Sequence, residues 1–193
     1  MGEKSANKRV FILETARDIF AKKGYCDTTM KDVVEACNIS RGGVYLYFNN
    51  VKELFEAVME YEASNAEDFA SKIPEDATYV DVLKLFVKEQ KKAILSKKAS
   101  ITVATYEYYF NNKVSAKNNQ VKQEFDADLY VLEQLISEGI DAGEFYDIDP
   151  KRAASNMMYV LEGLKISAKT RGITEAVVDE EIDYVMQGII PEE

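Results

Sequence analysis

The sequence predicts an all-α protein. Three prolines and nine glycines in 193 residues leave long stretches without a helix breaker. β-Branched residues rarely alternate with polar ones over more than a few positions, and apolar residues recur at helical spacing. A first helix is expected over residues 8–23, where Ile12, Leu13, Ala16, Ile19 and Phe20 share a face and Lys22 and Lys23 precede Gly24, the last-turn cations and glycine of a helix end. Thr28 and Thr29 are candidate N-caps for a second helix of barely two turns, built on Met30, Val33, Val34 and Ala36 and stopping at Asn38. Ser40 caps a short third helix over 41–48, with Val44 and Phe48 pointing inward. Asn50, with Glu53 three residues on, resembles a capping box and opens a fourth helix over 51–73, ending before Pro74. Five longer helices follow over 79–97, 100–111, 116–142, 150–170 and 174–188. They are separated by Asn111-Asn112, Gly143, the Asp149-Pro150 start and Gly172.

Composition narrows the chemistry. With no histidine, the chain has no Ser-His-Asp or Cys-His pair, no histidine base and no histidine-containing zinc site. No catalytic residue, metal or cofactor is expected, and the reading is that this is not an enzyme. Cys26 and Cys37 are too few for a disulfide framework and point to a reducing compartment. Met1 to Asn7 lack the apolar core of a signal peptide, and no run approaches the ~18 apolar residues that span a bilayer. A cytoplasmic protein without membrane contact is expected. The net charge of -10 is uneven: residues 1–52 hold nine bases and six acids, a net +3, leaving -13 for the remainder. A polyanion responds to the field within roughly 8–10 Å, so a basic head on an acidic body is compatible with DNA.

The second and third helices, joined by Cys37-Asn38-Ile39, have the length and turn of a helix-turn-helix, which presents its second helix to the DNA major groove. The turn needs a residue tolerant of the left-handed region, and Asn38 is one. Small Ala36 is expected to let the two helices approach. The spacing of Ile12-Leu13 and Ile19-Phe20, then Gly24-Tyr25, Thr28-Thr29, the run Ser40-Arg41-Gly42-Gly43-Val44-Tyr45-Leu46-Tyr47-Phe48 and Lys52-Glu53-Leu54-Phe55, closely resembles the TetR family of bacterial transcriptional regulators. The match covers residues 9 to about 58.

The resemblance implies a three-helix DNA-binding domain over 1–50, a connecting fourth helix over 51–73, and a larger helical effector-binding and dimerisation domain over 74–193, about nine helices in all. It implies a DNA interface made of Thr29, Ser40, Arg41, Gly42, Gly43, Tyr45, Leu46, Tyr47, Asn50 and Lys52. Thr29 resembles a phosphate-contacting hydroxyl. Arg41 is the only cation of the recognition helix, able to bind guanine O6 and N7 together. Gly42 lets the backbone approach, Tyr45 and Tyr47 offer hydroxyls, and Asn50 at the start of the fourth helix offers amides to a phosphate. The chain departs from the family pattern at Val51, where a lysine is usual, at Gly43, where threonine is common, and at Val34, where a small alanine is customary.

The family's homodimer uses its last two helices, so Ala154, Met157, Leu161, Val178, Ile182 and Val185 are candidate dimer-interface residues. The family's small-molecule effector would enter the C-terminal domain. Tyr61, Phe86, Tyr106, Tyr109, Phe110, Phe125 and Met158 are candidate walls of its pocket, and Glu107 and Glu162 candidate counter-charges for an apolar or cationic ligand. The expected partners are double-stranded operator DNA, that effector and a second copy of the chain. The function implied is a regulator, most simply a repressor released by its effector. The alternative is a helical ligand-binding or protein-interaction module whose head does not bind DNA.

Overall fold

A computed structural model describes residues 2–65 and 68–191, with side chains from residue 6 onward. Among them are nine α-helices and no strand: α1 Gly2–Lys23, α2 Met30–Cys37, α3 Arg41–Tyr45, α4 Val51–Ser64, α5 Tyr79–Leu95, α6 Thr102–Asn111, α7 Gln120–Asp141, α8 Pro150–Thr170 and α9 Glu175–Gln187. None is long and apolar enough to cross a membrane among the described residues.

Local chemistry explains most boundaries. Gly24 ends α1 at φ +80°, its N–H donating to the Phe20 carbonyl. Thr29 and Asp32 form a reciprocal capping box on α2, and Asn38 closes it in the left-handed region at φ 51°. A second capping box, Thr78 with Asp81, opens α5, and Asp149 and Thr174 cap α8 and α9. After α7, the Gly143 N–H bonds the Ile140 carbonyl and the Glu144 N–H the Gly139 carbonyl, a Schellman closure with Gly143 at φ +76°. The same turn lays the Phe145 ring on Gly139, where a Cβ would sit 2.3 Å from the ring. Only glycine fits there.

Four helices differ from expectation by three residues or more; one is α7, which starts at Gln120 rather than 116, after a separate 3-10 turn at Ala116–Asn118. α1 starts at Gly2 rather than near residue 8. α3 ends at Tyr45 rather than 48, because Gly42 and Gly43 are weak helix formers and the chain tightens into a turn in which the Tyr47 and Phe48 N–H groups share the Val44 carbonyl. α4 stops at Ser64, well before Pro74. There the Ser64 hydroxyl, the Asn65 amide and the Asn65 backbone N–H all donate to the Tyr61 carbonyl, so local side-chain bonds replace the helical ladder. The expected stretch of α4 includes residues 66 and 67, which lie outside the described residues. A 3-10 turn at Ala70–Lys72 follows.

The chain forms two compact units: Met1–Glu67 with Lys98–Val114, and Asp68–Lys97 with Ser115–Glu193. α4 and α6 both pack within the first unit, whereas the sequence predicts a boundary at residue 50 and everything beyond 74 in one domain. In the first unit Ile12, Leu13, Ala16, Phe20, Val33, Val44, Phe48, Leu54, Phe55 and Val58 form the core, to which α6 adds Ala104 and Tyr108. Rings of Phe20, Tyr25, Phe55 and Tyr108 meet at its centre, with centroids 4.6 Å (Phe20–Phe55), 5.1 Å (Tyr25–Phe55) and 5.2 Å (Tyr25–Tyr108) apart. The second unit packs α5, α7, α8 and α9 around Leu83, Leu132, Ile136, Ala154, Leu161, Leu164 and Val178.

Candidate nucleic-acid interface

The recognition segment is held from below and left bare above. Val44 and Phe48 are buried, as the helical spacing predicts, and anchor α3 and the turn after it in the first core. The other side faces outward: Ser40, Arg41 and Gly42 are exposed, Gly43, Tyr45 and Tyr47 half-buried, and Leu46 is 77% exposed. An apolar side chain so exposed beside a cation is the composition that reads thymine methyls and base edges in a major groove. The Ser40 hydroxyl caps the Gly43 N–H at 3.2 Å, fixing where α3 begins.

Arg41 lays its guanidinium over the Tyr45 ring, 5.1 Å from the centroid, so Tyr45 aims the cation as well as packing on the core. Arg41 has no carboxylate partner among the described residues. Arg9 lies 5.4 Å over the Phe48 ring, a basic residue beside the head that the family pattern did not single out. Lys52, the second residue of α4, is exposed and only loosely paired with Glu56 at 4.0 Å. Asn50 caps the Glu53 N–H at 2.9 Å. The reciprocal arm expected from Glu53 reaches Asn49 instead, accepting from its backbone and side-chain N–H groups.

Thr29 is placed differently from a free hydroxyl. It accepts from the Asp32 N–H and donates to the Asp32 carboxylate at 2.7 Å, while Lys23 binds the other carboxylate oxygen at 2.8 Å. Lys23 and these Thr29 bonds hold the Asp32 carboxyl well below the usual carboxylate range. Sequence reasoning missed this Lys23–Asp32–Thr29 chain because its first link crosses from α1 to α2. Ala36 is exposed, so it is not the close-approach residue between the two helices. Burial at Cys37 pushes its thiol pKa up, the mark of an unreactive core thiol.

The residues expected to wall an effector pocket are drawn from both units. Tyr61, Tyr106, Glu107, Tyr109 and Phe110 belong to the first unit, and Phe86, Phe125, Met158 and Glu162 to the second. Tyr61 donates to Glu14, and Phe110 is 84% exposed with its ring stacked on Tyr106. Glu107, a candidate counter-charge, accepts from the backbone N–H groups of Tyr25 and Cys26 at 2.6 and 3.1 Å. A side chain on Gly24 would begin 2.5 Å from that carboxylate. Beside it Tyr108 donates to Glu56, and burial, with that bond, pushes its hydroxyl pKa up. In the second unit Phe125 lies against Tyr159, 5.3 Å between ring centroids, and Met158 is buried. A cavity of about 10 Å³ there is lined by Val87, Met157, Val160, Leu161, Ile182 and Val185, room for no more than one water.

The candidate dimer residues lie mostly inside the second unit. Ala154, Met157, Leu161, Val178 and Ile182 are buried and Val185 is half-buried in the core of one chain, so little of their surface is left for a partner.

Comparison with known proteins agrees with the geometry of the head. The family described as "Bacterial regulatory proteins, tetR family" matches residues 12–58, and that described as "Tetracyclin repressor-like, C-terminal domain" matches residues 82–179. The HTH-type transcriptional regulator YfiR of Bacillus subtilis is 31% identical over 156 residues, covering 77% of this chain and 73% of that protein. The HTH-type transcriptional repressor AcnR of Corynebacterium glutamicum is 36% identical over 70 residues, 36% of this chain and 37% of that protein. In fold, the chain is similar to a putative transcriptional regulator from Saccharomonospora viridis solved in complex with choline, with TM-score 0.83 and 19% identity over 97% of this chain and 100% of that one. With both parts of its length matched and its helix-turn-helix in place, the chain belongs to the TetR family and is a DNA-binding transcriptional regulator.

Proposed function

We propose that the protein is a homodimeric repressor that grips its operator with the outward surface of α3 and lets go when a small cationic or apolar molecule binds the second unit. The observation that carries the DNA half of this reading is the recognition segment, with Arg41 aimed by Tyr45 and Leu46 77% exposed. Ser40, Gly42, Tyr47, Asn50 and Lys52 complete the contact surface, with Gly43 contributing backbone alone. Repression is favoured by AcnR, named a repressor. A cationic effector is favoured by the choline bound to the Saccharomonospora regulator and by the aromatic faces of Phe86 and Phe125 with the Glu162 carboxylate on this chain's second unit. Release requires tighter binding to the state that does not fit DNA.

The dimer forms through the outer faces of α8 and α9. On α8, Arg152, Asn156, Tyr159, Gly163 and Ile166 are all exposed and recur at alternating four- and three-residue steps, one stripe of the helix. Tyr159 is 68% exposed and Ile166 40%, and α9 adds Tyr184 at 77%. Apolar area of this kind on neighbouring helices marks an association surface. Gly163 allows the test, because a Cβ there meets nothing within 4 Å in the single chain. Gly163→Arg is expected to fold with unchanged helicity, to elute in size-exclusion chromatography with light scattering at the monomer mass, and to lose specific DNA retention. A Gly163→Arg protein that remains dimeric contradicts this interface.

A further inference from the structure

Gly43 leaves a gap in α3, and the structure fills it from another helix. An ideal Cβ at Gly43 lies 3.2 Å from the Lys8 ammonium nitrogen and 3.2 Å from the Ser40 hydroxyl. The Lys8 cation, carried by α1, thus stands over the first turn of the recognition helix, where the side chain of residue 43 would begin. Family patterns give this position a side chain able to touch DNA, and Gly43 has none.

Three observations say that this ammonium is not merely a plug. Lys8 pairs with no carboxylate among the described residues, whereas Lys23, Lys31 and Lys52 in the same unit each have one. An ammonium brings three donors, and the nearby Ser40 oxygen, which accepts from the Gly43 N–H, has room for at most one of them. The next residue along α1, Arg9, is stacked over Phe48 instead, so of these two adjacent cations Lys8 alone is placed at the start of α3.

We propose that Lys8 is a DNA-contacting residue whose ammonium binds a backbone phosphate at the first turn of α3, supplying the contact that Gly43 lacks. The proposal rests on the DNA-binding reading of the head and adds to it a residue from outside the helix-turn-helix. A lysine acts here as a compact point charge, so it strengthens binding without selecting a sequence. A side chain at position 43 would crowd the ammonium in its present place.

The test uses the full-length protein, with fluorescence anisotropy on two duplexes of equal length, one from the region upstream of its own gene and one unrelated, over a salt series of about 50–200 mM. Lys8→Gln keeps the length of the side chain and removes its charge. It is expected to weaken binding to both duplexes by the same factor, about 3- to 10-fold, and to flatten the slope of log affinity against log salt by about one. Lys8→Arg is expected to keep the wild-type slope. An unchanged slope in Lys8→Gln, with helicity and unfolding midpoint intact, overturns the proposal and makes Lys8 a space-filler. A loss confined to the upstream duplex also overturns it, since that is base reading. Wild-type protein that binds neither duplex fails the DNA-binding reading itself, an outcome visible before any variant is compared.

Discussion

Phe55→Ala is expected to lose about 3–5 kcal/mol of unfolding free energy, the range for removing a fully buried aromatic side chain. Phe55 is 0% exposed and touches both faces of the head's construction: Phe20 of α1 at 4.6 Å, and the rings of Tyr25 and Tyr108 at 5.1 and 5.5 Å. The quartet cannot close over the missing ring, because Tyr108 is tied to Glu56 and the Tyr25 backbone to Glu107. Domains are stable by only about 5–15 kcal/mol, so this one truncation removes a large share. With urea slopes near 1–3 kcal/mol per molar, the unfolding midpoint should fall by more than about 1 M. Phe55→Leu should lose less than half as much. A fall under about 1 kcal/mol for Phe55→Ala contradicts the claim that α6 and α4 are fastened to α1 through this ring.

Arg41→Ala is expected to weaken operator binding about 10- to 100-fold, a loss of roughly 1–3 kcal/mol, and to change nonspecific binding by only a few-fold. The stacking on Tyr45 holds the guanidinium fork in one orientation before DNA arrives, which suits a bidentate contact to guanine O6 and N7. Arg41→Lys should therefore fail to restore the affinity, because an ammonium has no fork. Competition titrations with operator and unrelated duplexes read both numbers. Equal weakening on the two duplexes reassigns Arg41 to a phosphate.

What was legible in the sequence was whatever is decided within a few residues. Helix α8 is found over 150–170 as expected, because Asp149, Pro150 and Gly172 mark its ends locally. The turn at Asn38 and the inward Val44 and Phe48 follow for the same reason. The end of α4 was hidden, since Pro74 is a louder signal than Ser64 and Asn65, whose effect depends on where their side chains bond. Which core receives α6 was not legible at all: no local spacing says that Tyr108 meets Tyr25 and Phe55. Likewise the apolar residues of α8 and α9 announce burial without saying by what. The core of the same chain takes Met157 and Ile182, and the outward stripe is left to Tyr159, Gly163 and Ile166. Lys8 reaches Gly43 through space across 35 positions, and no local pattern carries that.

The most direct test of the central claim is a gel shift of the purified full-length protein against the intergenic DNA upstream of its own gene, with excess unrelated competitor, at two salt concentrations. An exposed recognition segment on a TetR-family head predicts retention of one discrete fragment, weaker at the higher salt as counterions are released. Absence of any retained fragment, even at the lower salt, contradicts it.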